Sequence, residues 1–235
     1  MRLKEKVVFL LFTYPIGVFL GIVFSIARAL KIVRVVGKER IFRPSEALLV
    51  ICNHPAILET FLIPFLFFKY FLFRPFRYAP YSVPDKRNFY DPWYFFWMRP
   101  VLISIEREAG FSLSASDRMR GALNSRRIII FYPEGGRTFK GKEFSYSKTG
   151  KRVRKFQRGA AWLLRKYSPW VLPIWVEGTG KLMPGTRKKL FSLPCLRERA
   201  VIKIGEAVQL PDTCGENLLT RELTDLLLKT ADQEG

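Results

Sequence analysis

Residues 47–59 read ALLVICNHPAILE. Ala47 to Cys52 is an apolar run of strand length, too short for a buried helix. Asn53 and His54 interrupt it, and Pro55 suits the opening of a helix, where its missing N–H would be unpaired anyway. A helical apolar pattern then runs from Ile57 to Tyr70. A strand that turns through a polar corner into a helix is the repeating unit of an α/β sheet. Open sheets of this kind bind ligands beyond the ends of their strands. His54, the chain's one histidine, stands at such an end.

Outward from this stretch the alternation continues. Further strands are expected at Arg77–Ser82, Val101–Ile105, Arg127–Tyr132, Val171–Val176 and Ala200–Ile204, and helices at Ala115–Ser125, Lys155–Tyr167 and Glu216–Ala231. Loops rich in Pro, Gly or Lys fall at Pro80–Pro92, Lys140–Arg152 and Met183–Pro194. Strands interleaved with helices predict an α/β fold whose sheet is covered by helices. Two stretches are greasier than a soluble domain requires: 60–73, TFLIPFLFFKYFLF, and 89–98, FYDPWYFFWM, the latter flanked by Arg87 and Arg99. Aromatics mixed with arginine suit a membrane interface. Core packing accounts for them equally well, and run length alone does not choose.

Residues 7–27, VVFLLFTYPIGVFLGIVFSIA, carry no charge. About 20 apolar residues cross a bilayer as a helix. The run exceeds the apolar centre of a signal peptide, and no small-residue cleavage site follows it. Pro15, Gly17 and Gly21 favour a kink or a break, so one kinked span and a hairpin that dips and returns both satisfy the pattern. Beyond it, Arg28, Lys31, Arg34 and Lys38 fall in one arc at helical spacing, opposite Ile26, Ala29, Leu30, Val33 and Val36. That predicts a basic amphipathic helix lying on an anionic leaflet. Residues 1–40 are thus expected to form an anchor, and 41–235 the main domain.

Forty Lys and Arg against 20 Asp and Glu give a net charge of +20. Such an excess draws polyanions, either nucleic acid or an anionic lipid surface. The apolar N-terminus selects the lipid surface, and no nucleic-acid partner is expected. Cys52, Cys195 and Cys214 are odd in number and far apart, which excludes a disulfide framework and points to a reducing, cytosol-facing domain.

Two clusters carry chemistry. Glu59 lies five residues beyond His54, about 140° away if both shared a helix. With His54 in the turn before the helix, Glu59 can instead point back at the ring. A carboxylate on one ring nitrogen fixes the tautomer and leaves the other nitrogen to accept a proton. By pattern alone, a lone histidine is more often a cap or a satisfied core residue than a base. Cys52 is a rival nucleophile two residues away, although a cysteine at a buried strand end is usually a small core residue. The second cluster, YPEGGR at 132–137, ends an apolar strand in a glycine turn followed by arginine. Paired glycines let backbone N–H groups approach a phosphate, and arginine adds a planar fork. Arg107, closing VLISIER, is a second anion-binding candidate. Residues 136–143, GRTFKGKE, approach a nucleotide-binding P-loop, but Glu143 stands where the Mg²⁺-ligating hydroxyl belongs, and no apolar helical rhythm follows.

Taken in order, these residues resemble the glycerolipid (lysophospholipid) acyltransferase family, typified by 1-acylglycerol-3-phosphate acyltransferases. The family's Asn-His with an acid beyond is matched by Asn53-His54-Pro-Ala-Ile-Leu-Glu59, and its strand-ending arginine by Arg107. Its Phe-Pro-Glu-Gly-Thr-Arg is matched by Tyr132-Pro133-Glu134-Gly135-Gly136-Arg137, and its Lys-Phe-x-x-Gly by residues 155–159. Pro173 and Ile204-Gly205-Glu206 complete a likeness spanning roughly Arg40 to Pro211. The resemblance implies a mixed, mostly parallel sheet covered by helices, joined to a membrane-embedded N-terminal helix or hairpin. It implies acyl transfer from a coenzyme A or acyl-carrier-protein thioester to a lysophospholipid hydroxyl, with lysophosphatidic acid the leading acceptor, at the cytosolic membrane face. His54 would be the base and Glu59 its orienting group. Arg107, Glu134, Gly135, Gly136 and Arg137 would form the acceptor's headgroup site, with no metal or bound cofactor. Two departures stand out: Glu59 where the family has Asp, and Gly136 where it has Thr.

Overall fold

The structure, a computed structural model, describes residues 3–41, 46–105, 113–184, 194–211 and 215–234. Residues 48–52, LLVIC, form β2 (Leu48–Cys52), apolar at every position and buried on both faces, as a central strand must be. It pairs in parallel with β4 (Ile128–Phe131) on one side and β7 (Trp170–Glu177) on the other. β3 (Tyr81–Ser82) continues the parallel sheet beyond β4. On the far side β8 (Ala200–Ile204) runs antiparallel to β7, and β1 (Val33–Val36) lies parallel to β8. The order β1-β8-β7-β2-β4-β3 is a mixed, mostly parallel sheet. A separate antiparallel hairpin joins β5 (Phe144–Tyr146) to β6 (Arg152–Arg154) within the stretch expected to be loop.

Alternate residues of the strands feed two cores. Leu49, Ile51, Ile129 and Val171 face Met119, Leu163, Leu164, Leu223 and Leu227. The last five come from three helices on that face: α2 (Leu113–Asn124), α3 (Gly159–Tyr167) and α4 (Glu216–Ala231). Leu48, Val50, Ile128, Leu172 and Ile202 face Leu62, Ile63 and Phe67 on the other side. Those residues lie in a broken helical run made of Glu59–Leu62, a 3-10 stretch Ile63–Phe67 and Phe68–Phe73. Pro64 at the start of the 3-10 stretch is where the single helix expected at Ile57–Tyr70 breaks.

The N-terminal apolar segment is one helix, α1 (Leu3–Ala29), about 40 Å long at 1.5 Å per residue. It is neither broken nor a hairpin. A π-helical stretch, Phe9–Thr13, precedes Pro15 and absorbs the wider turn that the proline ring needs. Gly17 and Gly21 let the domain come close. A Cβ at Gly21 would stand 2.3 Å from the Phe68 ring, and one at Gly17 would stand 3.0 Å from Phe71. Phe9, Thr13, Gly17, Gly21 and Phe24 form the face packed on the protein. Leu11, Phe19 and Ile26 project from the other side and are exposed.

Three expectations need correction. The basic amphipathic helix across 28–38 does not form. The helix stops at Ala29, Lys31 takes a left-handed φ of +57°, and Val33–Val36 becomes β1. β-branched valines and the open edge of β8 outweigh the helical spacing of the cations. Residues 77–82 give strand only at Tyr81–Ser82, because Pro75–Tyr78 is a helical turn. Residues 101–105 form no regular strand; Leu102 and Ile105 make isolated bridges to Ser82 and Asp85.

Candidate active site

β2 ends at Cys52, and the next side chain secures the exit. Asn53 is buried; its amide donates to the Val176 carbonyl (2.8 Å) and its Oδ1 accepts the Val176 N–H (2.7 Å). A side chain here continues the β2–β7 ladder while the backbone turns away, so His54 emerges at the carboxyl end of the sheet.

Both main-chain groups of His54 are held by the glycine loop after β4. Its N–H donates to Glu134 Oε1 (2.7 Å), and its carbonyl accepts the Thr138 N–H (2.8 Å). Nδ1 of the ring meets Glu59 Oε1 at 2.6 Å. Glu59, fully buried, also accepts the Ala56 N–H (2.9 Å) and the Thr179 hydroxyl (3.2 Å). Facing an acceptor, Nδ1 carries the hydrogen, and Nε2 is left as the base. His54 therefore lies in the turn before the helix, and the residue-54 to residue-59 pairing that the spacing allows is made. Tyr132 supports the ring from one side, with centroids 4.8 Å apart. Burial pushes the Tyr132 phenol well above its ordinary pKa, keeping it neutral.

Cys52 is fully buried and its thiol donates to the Asn53 carbonyl (3.1 Å). Desolvation, with the carboxylates of Glu59 and Glu134 behind it, raises its pKa. A protonated, enclosed thiol is no nucleophile, so the rival reading falls.

Glu134 is fully buried, and its carboxylate accepts three bonds: the His54 N–H, the Thr138 hydroxyl (2.8 Å) and the Arg154 N–H (2.8 Å). Burial raises its pKa, partly offset by those donors. It is a strut between the turn after β2, the glycine loop and the end of β6, and its hydrogen-bonding capacity is spent internally. Gly135 has φ +62°, and a Cβ there would stand 3.0 Å from Gln157 Cγ, so a side chain would push on the segment opposite.

A cavity of about 470 Å³ opens beside His54, lined by Thr60, Met98, Tyr132, Gly135, Gly136, Arg154 and Arg158 among others. A smaller apolar cavity of about 70 Å³ adjoins it, sharing Thr60, Ser82, Met98 and Leu102 and walled by Thr13, Gly17 and Leu20 of the N-terminal helix. Of the residues expected at the headgroup site, Glu134, Gly135 and Gly136 line the larger cavity with His54. Arg137 does not; its guanidinium lies 5.0 Å over the Phe139 ring. Arg107 lies outside the described residues. Sequence reasoning missed Asn53, Thr179, Arg154 and Arg158 as site residues. Only Asn53 carried a signal, beside the histidine; the rest arrive from distant segments. Among the described residues no group of three or more His, Cys, Asp or Glu converges to hold a metal ion.

With this geometry the chain can be set beside known proteins. A family model described as Acyltransferase matches residues 32–177. A 1-acyl-sn-glycerol-3-phosphate acyltransferase from Chlamydomonas reinhardtii is 26% identical over 160 residues, covering 66% of this chain and 42% of that protein. The chain thus spans less than half the length of this relative. The crystal structure of the 1-acyl-sn-glycerophosphate (LPA) acyltransferase PlsC from Thermotoga maritima superposes with a TM-score of 0.65 at 20% identity. That match covers 100% of this chain and 86% of the other, and it shows a shared fold.

Proposed function

Since the chain belongs to the Acyltransferase family, we propose that it moves a fatty acyl chain from an acyl thioester to the free hydroxyl of a lysophospholipid, lysophosphatidic acid giving phosphatidic acid. One observation carries this reading: the His54–Glu59 pair, 2.6 Å apart, opens with its free Nε2 on a cavity large enough for two reacting groups. Nε2 takes the proton of the acceptor hydroxyl as that oxygen attacks the thioester carbonyl. The imidazolium is held by Glu59. When the tetrahedral intermediate collapses, the C–S bond breaks and the departing thiolate takes from His54 the proton that the acceptor hydroxyl gave up. The apolar cavity behind Thr60 and Met98 accepts methylenes of the acyl chain. The donor is a coenzyme A or acyl-carrier-protein thioester, and the chemistry needs no metal or bound cofactor. The relatives' printed activities support the acceptor.

The enzyme works at a membrane with its catalytic domain on the cytosolic side. Support comes from the 27-residue apolar helix and from the exposed aromatics Phe73, Trp93 and Tyr94 on the side of the domain that packs against it. The free thiols of Cys52 and Cys195 suit a reducing compartment.

The decisive experiment is transfer of labelled acyl groups by wild-type and His54→Ala protein in detergent to a panel of lysolipids. Transfer to lysophosphatidic acid that disappears in the variant is expected. Undiminished transfer by His54→Ala, or none by the wild type with either class of donor, would sink the proposal.

A further inference from the structure

Resting on that reading, we infer that Thr179 is a positioning residue of the reaction. Its hydroxyl, on the turn after β7, stops the Glu59 carboxylate from swivelling and so keeps one fixed oxygen against His54. The turn supplies from outside the stiffness that a shorter acid at position 59 would have of itself.

Glutamate carries one more rotatable bond than aspartate, and its terminal torsion is broad. The side chain alone therefore leaves the two carboxylate oxygens free to exchange places. Their surroundings are not equivalent. Oε1 meets both Nδ1 of His54 (2.6 Å) and the Ala56 N–H (2.9 Å). Oε2 is turned the other way, where among the described residues the Thr179 hydroxyl meets it (3.2 Å). Thr179 and Glu59 are both fully buried, so water does not compete for this bond. A separation of 3.2 Å is long for a hydroxyl on a carboxylate. Contacts of this kind tighten when charge develops, here as His54 becomes an imidazolium.

The turn that carries Thr179 is tied to the segment that carries the base. Asn53, just before His54, bonds both main-chain groups of Val176 (2.8 and 2.7 Å). β7 ends one residue later, Gly178 turns the chain at φ +82°, and Thr179 opens the short helix Thr179–Leu182. Residues 176–179 thus bracket residues 53–59, with one contact before the base and one after it. Gly180 keeps the bracket close, since a Cβ there would stand 3.8 Å from that of Ala56, whose N–H also binds Glu59. Threonine is branched at Cβ and restricted in χ1, so its hydroxyl is presented at small entropic cost. Thr179 lies behind Glu59 and outside the cavity walls, so it acts through Glu59 and not on substrate.

The test uses the full-length protein in detergent with Thr179→Val, which keeps the shape and removes the hydroxyl, and Thr179→Ser, which keeps the hydroxyl. Losing one hydrogen bond to a charged group should lower kcat of Thr179→Val about tenfold, with KM for acceptor and donor close to wild type. Thr179→Ser should recover most of that loss. Glu59→Asp supplies the control. It withdraws the carboxylate by about 1.5 Å, one C–C bond, from the Thr179 hydroxyl. Adding Thr179→Val to Glu59→Asp should then change kcat little, a coupling that a packing defect would not produce. His54 is the chain's one histidine, so nitrogen NMR of histidine-labelled protein reads its tautomer without turnover. Wild type and Thr179→Ser should hold the hydrogen on Nδ1, and Thr179→Val should mix the two tautomers. Should the valine variant not fold, Thr179→Ala is read in the same way. Wild-type kcat and tautomer in Thr179→Val would overturn the assignment, as would equal losses in both Glu59 backgrounds or a serine that recovers nothing. A wild type that transfers no acyl group would count against the acyl-transfer reading, and the tautomer signal would still decide the role of Thr179.

Discussion

The backbone amides of His54 and Arg154 donate to opposite oxygens of the Glu134 carboxylate, at 2.7 and 2.8 Å, although a hundred residues of chain separate them. One buried side chain thereby sets the distance between the strand that presents the base and the strand that leads into α3.

Glu134 should report on pH through stability. Burial holds its folded-state pKa above the ordinary 4.5, so the folded chain binds this proton more tightly than the unfolded chain. Its contribution is fully present below the unfolded value and is lost as pH rises through the folded one. Urea midpoints of wild type and Glu134→Gln, followed upward from pH 4.5, should therefore shift in favour of the variant across that window. A gap that widens against the variant instead would mean that the three donors outweigh burial. Activity of Glu134→Gln should fall at every pH, since an amide cannot accept from all three donors.

Glu59 orients the base, and its removal should act on kcat more than on KM. Glu59→Gln keeps the size but presents a donor to one of its three partners, favouring the wrong imidazole tautomer. A loss of about 10² to 10⁴ in kcat is expected. Glu59→Ala should in addition cost about 1–3 kcal/mol of stability, by leaving buried donors without a partner. Single-turnover kinetics and denaturant titration separate the two effects, and a Gln variant with wild-type kcat would remove Glu59 from the mechanism.

Gly178 governs a contact that reaches the site indirectly. Its φ is +82°, and a Cβ would stand 2.1 Å from the Arg199 carbonyl oxygen. Gly178→Ala should destabilise by about 2 kcal/mol or more. The adjoining Thr179, whose hydroxyl donates to Glu59, should shift with it and lower activity in the fraction that stays folded. Unchanged thermal stability would mean that the turn after β7 relaxes freely.

The outward face of the N-terminal helix should govern membrane attachment without touching the chemistry. Phe19 and Ile26 are 63% and 53% exposed. Replacing both with Glu exchanges apolar area for charge on the face turned away from the domain, and partition onto anionic vesicles should weaken about tenfold or more. Flotation measures this. Binding equal to the wild type would place the attachment on the aromatic segment 89–98 instead.

Much of this protein is legible from residue order. Strands apolar on both faces, such as β2 and β4, read as central and covered, because no helix of five residues would bury every side chain. The apolar spacing of the final helix places it at Glu216–Ala231, where it lies. His54 and Glu59 are close in sequence, so the turn between them decides their pairing, and local reasoning reaches it.

What residue order did not reveal depends on segments that meet only after folding. Residues 28–38 carry cations at helical spacing, yet a strand edge supplied by β8, some 170 residues later, claims the backbone of Val33–Val36. The acid of the glycine loop reads as a ligand-binding group until its three donors arrive from residues 54, 138 and 154. Arg137 and Arg154 are both arginines near glycines; which one faces the cavity is settled by where β6 crosses the loop. Local alternation and spacing determine which elements form, because they act through the nearest few residues. Partners for a buried carboxylate, an edge strand or a free guanidinium are chosen by burial and charge across the whole chain, and only the tertiary structure decides them.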